Sequence, residues 1–188
     1  MSPMQPLGPA PWPPPPITTD RLTLRTSEAR DRAGLIDLFA SPEVGVHIGG
    51  ARPREELEES VPEVPGRREG FFVVERHGEF LGMVTFDRRD ADHPGHVRTE
   101  GNEAQLGYML LPGAWGQGIA TEACAAALAW FAAAFPDEPV VLAAQTANGA
   151  SVRVAEKLGF RLHEVFEEYG AEQWFGVWTS PSGRSPAL

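Results

Sequence analysis

Gln105-Leu106-Gly107-Tyr108-Met109-Leu110-Leu111-Pro112-Gly113-Ala114-Trp115-Gly116-Gln117-Gly118-Ile119-Ala120-Thr121-Glu122-Ala123-Cys124 reads as a strand, a tight glycine-bearing turn and the first turns of an alanine-rich helix. Two glycines one residue apart leave backbone N–H groups facing outward where the helix begins. That end carries the positive pole of the helix dipole and suits an anion such as a pyrophosphate. A Walker loop would follow its last glycine with Lys and then Ser or Thr, whereas Ile119-Ala120 follow Gly118. A dinucleotide fingerprint wants a third small residue and an acid at the end of the next strand. Thr121 meets the first loosely, and Asp137 and Glu138 precede the strand from Val140 instead of ending it.

Working outward, helix and strand signals alternate. Arg21–Arg25 alternates as a strand, and Arg30–Ala40 carries an apolar helical face. Glu55–Val61 reads as a second, charged helix. Phe71–Arg76 and Phe80–Asp87 are strands joined by His77-Gly78-Glu79, and 88–101 is a polar loop. Asn102–Leu111 is a strand, and Thr121–Phe135 a helix whose Ala120, Cys124, Ala127, Leu128, Phe131 and Phe135 share a face. Val140–Thr146 is a strand and Ser151–Leu158 a short helix stopped by Gly159. Arg161–Tyr169 and Glu172–Thr179 form a closing hairpin. The order predicts α+β architecture, a mixed and mostly antiparallel sheet with helices on both faces; without strict β-α-β repetition it is not doubly wound.

With 188 residues the chain is expected to form one domain. Residues 1–16 hold eight prolines and read as a flexible leader, a polyproline ligand or a partner contact through Trp12. Residues 17–179 form the domain, and 180–188 a fraying tail. No apolar run reaches the roughly 20 residues of a membrane span, and the N-terminal stretch lacks the basic and apolar regions of a secretory signal. A single cysteine rules out an internal disulfide and fits a reducing cytoplasm. The net charge of −10 argues against nucleic acid as the partner. It suits cationic substrates such as amines, or serves only solubility.

The blocks Trp115-Gly116-Gln117-Gly118-Ile119-Ala120, Thr19-Asp20-Arg21-Leu22-Thr23-Leu24-Arg25, Leu106-Gly107-Tyr108 and Asn148-Gly149-Ala150-Ser151 through Glu156-Lys157-Leu158-Gly159-Phe160 resemble, in order and spacing, the GNAT superfamily of N-acetyltransferases. Within it they look most similar to the ribosomal-protein N-terminal acetyltransferase (RimJ/RimL-type) branch. Trp115 stands where the family pattern has Arg or Gln. The resemblance runs from about Ile17 to Thr179 and implies a single-domain GNAT fold, acetyl-coenzyme A as co-substrate and no metal. It also implies a homodimer, and a primary amine, on a small molecule or a protein N-terminus, as acceptor.

By this resemblance Trp115, Gly116, Gln117, Gly118, Ile119, Ala120 and Thr121 hold the pyrophosphate. Tyr108, Met109, Leu110 and Leu111 supply backbone groups to pantetheine and an N–H to the thioester oxygen, the kind of preorganised donor that contributes most to rate. Asn148 contacts pantetheine, and Ser151 stabilises the departing thiolate; Ser151 is alternatively a helix N-cap. Many relatives use a Tyr acid where this chain has Ala155.

Relatives often have an acid at the Gln105 position, and Gln takes no proton. Strand alternation places Glu103 on the same face, either as the general base or as a solvated carboxylate; Glu100 and His163 are poorer candidates. An α-amine, with a pKa of roughly 7.7–8.0, needs less help than a lysine. Trp174, Phe175 and Trp178 line an acceptor cleft or belong to the core, and Glu167, Glu168 and Glu172 attract a cation. His93, His96, Asp90 and Asp92 read as a solvated loop more than a metal site. Cys124 reads as a buried small hydrophobe. A catalytically weak acyl-coenzyme A sensor is the alternative function.

Overall fold

The computed structural model describes residues 5–181. Its strands are β1 (Ile17–Thr18), β2 (Thr23–Arg25), β3 (Phe71–Arg76), β4 (Glu79–Arg88), β5 (Ala104–Leu110), β6 (Val140–Gln145), β7 (Arg161–Glu168) and β8 (Ala171–Trp178). The helices are α1 (Arg32–Ala40), α2 (Pro42–Gly45), α3 (Arg54–Ser60), α4 (Ile119–Ala134) and α5 (Gly149–Leu158). The strand order is β1-β2-β3-β4-β5-β6-β8-β7. β5 and β6 run parallel, while β1/β2, β2/β3, β3/β4, β6/β8 and β7/β8 pair antiparallel. The mixed α+β sheet expected from the sequence is therefore present.

The chain forms two compact units. One comprises Pro11–Thr85 and Tyr108–Ala127, the other the described residues within Met1–Ala10, Phe86–Gly107 and Leu128–Leu188.

In the first unit β3 and β4 form a hairpin closed by His77 and Gly78, both at positive φ (52° and 81°), the backbone a two-residue turn requires. The pairing slips after Val74, which opposes Gly82, while Glu75 opposes Phe80. Leu81 is thus the extra residue of a bulge. Gly82 is needed there. It sits at φ 154°, and a Cβ would lie 2.1 Å from the Met109 carbonyl oxygen. Leu35 and Leu38 of α1 meet Phe71, Val73 and Met83 in a core cluster that Met109 and Leu111 flank. Arg25 is buried at the end of β2 because two carboxylates neutralise it, Asp31 (2.7 and 2.9 Å) and Glu75 (2.7 Å). The leader is packed here: Trp12 sets its ring edge-on to Phe72 at 5.2 Å.

In the second unit Phe131 of α4 stacks between Phe86 and Phe135, with ring centroids 4.8 and 4.7 Å apart. Leu7, from the leader, is buried, and its carbonyl accepts from Arg88 Nε at 2.9 Å. Leu7 and Trp12 are thus two points at which the proline-rich stretch meets the rest of the chain. Residues 1–4 and 182–188, the ends of the leader and tail, lie outside the described residues.

β8 lies between β6 and β7, so both of its edges are paired. Trp174, Phe175 and Trp178 are buried, and since adjacent Trp174 and Phe175 point to opposite faces, both faces of β8 are covered there; of the two expectations for these residues, core is the one that holds. Gly176 allows it, since a Cβ there would meet the Trp174 ring at 2.3 Å. The outer strand β7 exposes Leu162 and Val165. α5 ends at Gly159, in the left-handed conformation at φ 95°, as the sequence leads one to expect.

Candidate active site

In the first unit, β5 ends at Leu110 and the chain turns through the short 3-10 segment Pro112–Ala114 into the glycine loop. Gly116 and Gly118 both adopt left-handed φ, 70° and 74°, which a side chain would strain. A Cβ on Gly116 would meet nothing within 4 Å, and one on Gly118 only Arg21 Nη2 at 3.5 Å. The glycines therefore serve the backbone angle, and the loop faces open space that an anion can enter. α4 starts at Ile119, a buried anchor, one position after the second glycine. The sequence reading began this helix at Thr121, two residues late, because it reserved Ile119-Ala120 for the loop.

Trp115 ties the loop to the strand: its Nε1 donates to the Leu110 carbonyl at 2.9 Å, while the ring stays 47% exposed. The Leu111 amide donates to the Leu81 carbonyl in the β4 bulge, so that N–H is engaged within the protein. Met109 and Leu111 turn their side chains to the core, and Leu110 is buried.

Gln117, between the glycines, is held from three directions. Its backbone carbonyl accepts from Arg21 Nη1 (2.8 Å), its side-chain Nε2 donates to the Gly113 carbonyl (2.8 Å), and its side-chain oxygen accepts from Arg76 Nη1 (3.1 Å). Arg21 is also paired with Glu122, in the first turn of α4 (2.6 Å). The hydrogen bond from Thr19, with those from Arg21 and against a smaller cost of burial, holds the Glu122 carboxyl below its ordinary range. Arg21, Arg76 and Glu122 had not been singled out as site residues. They lie up to 101 positions apart and share no periodicity. Thr121 and Ala120 are half-buried in the same first turn.

The second unit holds Asn148, Ser151 and Glu103. Asn148 is the N-cap of α5, and its side-chain oxygen accepts from the Ser151 amide at 3.2 Å. Ser151 is therefore inside the first turn and is not the cap. Ala155, where relatives carry Tyr, is buried.

Glu103 is not the solvated carboxylate of one expectation. It lies just before β5 with no exposed surface, and it is far from solvated. Oε1 accepts from the amides of Val97 and Arg98, both at 2.7 Å, and Oε2 from His96 Nδ1 at 2.8 Å. Burial pushes this carboxyl up, but the bonds from His96 and the backbone outweigh it and bring it below the ordinary value. Arg89 completes the scaffold of the 88–101 loop. It donates to the Gly95 carbonyl at 2.9 Å and to the Gln105 side-chain oxygen at 2.7 Å, and it faces the rings of Phe166 and Phe175. His93 pairs with Glu168 at 2.7 Å. The loop is thus built, not merely solvated, and Glu168 is committed within it. Among the described residues no group of three His, Cys, Asp or Glu is placed to hold a metal. Cys124 is fully buried, which pushes its thiol far up and leaves it inert.

Residues 21–161 match the family model described as the acetyltransferase (GNAT) domain. The chain is 28% identical over 160 residues to the uncharacterized protein YkkB of Bacillus subtilis (strain 168), covering 81% of this chain and 89% of that one. Among solved structures it is similar to a GNAT-family acetyltransferase from Bacillus anthracis, with a TM-score of 0.71 at 21% identity over 88% of this chain and 98% of that one. It also resembles the ribosomal L7/L12 α-N-protein acetyltransferase RimL in complex with coenzyme A, with a TM-score of 0.69 at 19% identity over 88% and 98% of the two chains. With the family model spanning most of the chain, this protein belongs to the GNAT acetyltransferase family.

Proposed function

We propose that the chain transfers the acetyl group of acetyl-coenzyme A to a primary amine, on a small molecule or a protein N-terminus, by direct attack in a ternary complex. The observation that carries this reading is the loop Trp115–Thr121, whose two left-handed glycines open the start of a 16-residue helix onto unfilled space. In this assignment Gly116, Gln117, Gly118, Ile119, Ala120 and Thr121 receive the pyrophosphate on their amides and nearby side chains. Trp115 fixes the loop, and the backbone of Met109, Leu110 and Leu111, together with Asn148, serves pantetheine. The amine nitrogen bonds to the acetyl carbon as the C–S bond breaks and its electron pair leaves on sulfur. The proton lost by nitrogen balances the one the thiolate takes up. Ser151 is assigned to the thiolate, whose thiol pKa of roughly 8.5 makes it a fair leaving group.

Glu103 is assigned a holding role. Its oxygens already accept three hydrogen bonds, and no surface is left for an amine. That favours acceptors that lose a proton readily, such as α-amines. Assembly as a homodimer and a place in the RimJ/RimL-type branch belong to the same proposal.

The absence of a Tyr at Ala155 and the engagement of Glu103 also favour a second reading, an acyl-coenzyme A sensor with little turnover. Thiol release on mixing the protein with acetyl-coenzyme A and a panel of amino acids, polyamines and N-terminal peptides separates them. Release with any amine supports the enzyme. Calorimetric binding without release supports the sensor, and absence of binding removes both.

A further inference from the structure

One carboxylate and one guanidinium outside the glycine loop determine which way its central peptide faces. Thr19 to Leu22 form the turn between β1 and β2. Three groups of that turn converge on Glu122: the Thr19 hydroxyl (2.6 Å) and the Arg21 amide (3.2 Å) on Oε1, and Arg21 Nε (2.7 Å) on Oε2. With Nε and Nη2 held by Glu122, Arg21 directs Nη1 to the Gln117 carbonyl, 2.8 Å away.

The carbonyl of Gln117 and the N–H of Gly118 belong to one peptide plane, and in a trans peptide they point in opposite directions. A carbonyl drawn to Arg21 therefore turns the Gly118 N–H away from Arg21. The next carbonyl, of Gly118, is taken by the Glu122 amide at 3.1 Å, so the Ile119 N–H is aimed out of the start of the helix by the same rule.

We infer that Arg21 and Glu122 are positioning residues of the cofactor site. They hold the Gln117–Gly118 peptide in the orientation that presents the Gly118 N–H to the pyrophosphate before it arrives. The inference rests on the proposal that the glycine loop receives that group. With glycine on its C-terminal side this peptide has more orientations open to it than one between two side-chain-bearing residues, and the brace removes the cost of selecting one during binding.

The two residues have opposite charges, so a positioning role and a purely electrostatic role predict different signs. If Arg21 only attracted the anion, Glu122→Gln would remove a repelling charge and tighten binding. As a brace, Arg21→Gln and Glu122→Gln both weaken it. The experiment is calorimetric titration of the full chain with acetyl-coenzyme A, followed by steady-state kinetics with an acceptor. Each single variant is expected to lose about tenfold in affinity, the scale of one charge-assisted hydrogen bond. The effect falls on KM for acetyl-coenzyme A with kcat kept. The double variant is expected to be little worse than either single one, because the residues act as one device. Arg21→Lys, which keeps the charge but not the three-way fork, is expected to rescue little. Tighter binding by Glu122→Gln, or full rescue by Arg21→Lys, overturns the brace. Should Arg21→Gln fail to fold, the sign of the Glu122→Gln effect decides alone. Wild-type protein that binds no acetyl-coenzyme A removes the glycine-loop reading and the brace with it. Wild-type binding with unchanged affinity in the variants removes the brace only.

Discussion

Arg25 and Asp31 face each other through two parallel hydrogen bonds, Nη1 to Oδ2 at 2.7 Å and Nη2 to Oδ1 at 2.9 Å, and both side chains are buried. Asp31 also accepts from the Glu28 amide at 2.7 Å, so one carboxylate joins the end of β2 to the entry of α1. Removing one member of such a pair leaves a buried charge uncompensated. Asp31→Ala is expected to lower stability by about 3–5 kcal/mol in urea titration. Replacing both residues by apolar ones of similar volume is expected to cost much less than the sum of the single changes, measured by a double-mutant cycle.

Acid should unfold the protein through a small set of carboxylates. Burial raises Asp31, but Arg25 and the Glu28 amide bring it below its ordinary value; Glu103 and Glu122 are likewise lowered. A group depressed in the folded state gives stability that is fully present above its unfolded pKa, here roughly 4, and is lost as pH falls through the folded value. Urea midpoints are therefore expected to be flat with respect to these groups above about pH 5.5 and to drop steadily below about pH 4. Glu103→Gln should flatten part of the drop and lower the plateau, since the amide accepts fewer of the bonds from His96, Val97 and Arg98. A midpoint that rises on acidification would contradict the assignment.

Glycines in and beside the loop should separate strain from function. Gly82→Ala puts a methyl group 2.1 Å from the Met109 carbonyl and is expected to cost more than about 2 kcal/mol, read from thermal or urea unfolding. Gly116→Ala meets nothing within 4 Å and carries only the left-handed backbone cost of about 1–2 kcal/mol. Gly118→Glu is expected to leave the protein folded by circular dichroism and to abolish acetyl-coenzyme A binding, because it places a negative charge against the pyrophosphate. Retained affinity in that variant would remove the loop assignment.

Asn148 and Ser151 should divide along the line between capping and chemistry. Asn148→Ala removes the acceptor for the Ser151 amide and is expected to cost about 1 kcal/mol of stability. Ser151→Ala keeps that cap. It is expected to lower kcat about tenfold, with a smaller change in acetyl-coenzyme A affinity, if the hydroxyl serves the thiolate. Equal kcat in wild type and variant would leave Ser151 a first-turn residue and nothing more.

Core substitutions on β8 separate a packing role from a lining role. Trp174→Ala is expected to destabilise by about 3–5 kcal/mol, as for a buried indole, and not to act first on acceptor KM. A stable variant with altered acceptor preference would return Trp174 to a cleft.

The sequence alone determined what depends on neighbours along the chain. Alternation and helical periodicity placed β3, the β3/β4 and β7/β8 hairpins, α4 and α5 within a few residues. The pair Gly116 and Gly118 marked a helix start open to an anion, because left-handed backbone is a local demand with a residue-specific answer. Gly159 likewise marked the end of α5. The family followed from the order of such blocks. Only the tertiary structure decided the state of groups whose environment is made by distant segments. Glu103 read as a strand carboxylate and proved fully buried, because two amides and a histidine from the preceding loop fold over it. Trp174, Phe175 and Trp178 read equally as cleft lining or core, and only the folded chain shows them buried, because what covers each face of a strand is not written in its own alternation. The edge-on contact of Trp12 with Phe72 likewise joins residues sixty positions apart, beyond the reach of local pattern. Arg21 and Glu122 could not be connected at all before the chain was folded. Their pairing spans 101 residues, and neither hydrophobic pattern nor turn chemistry carries information over that separation.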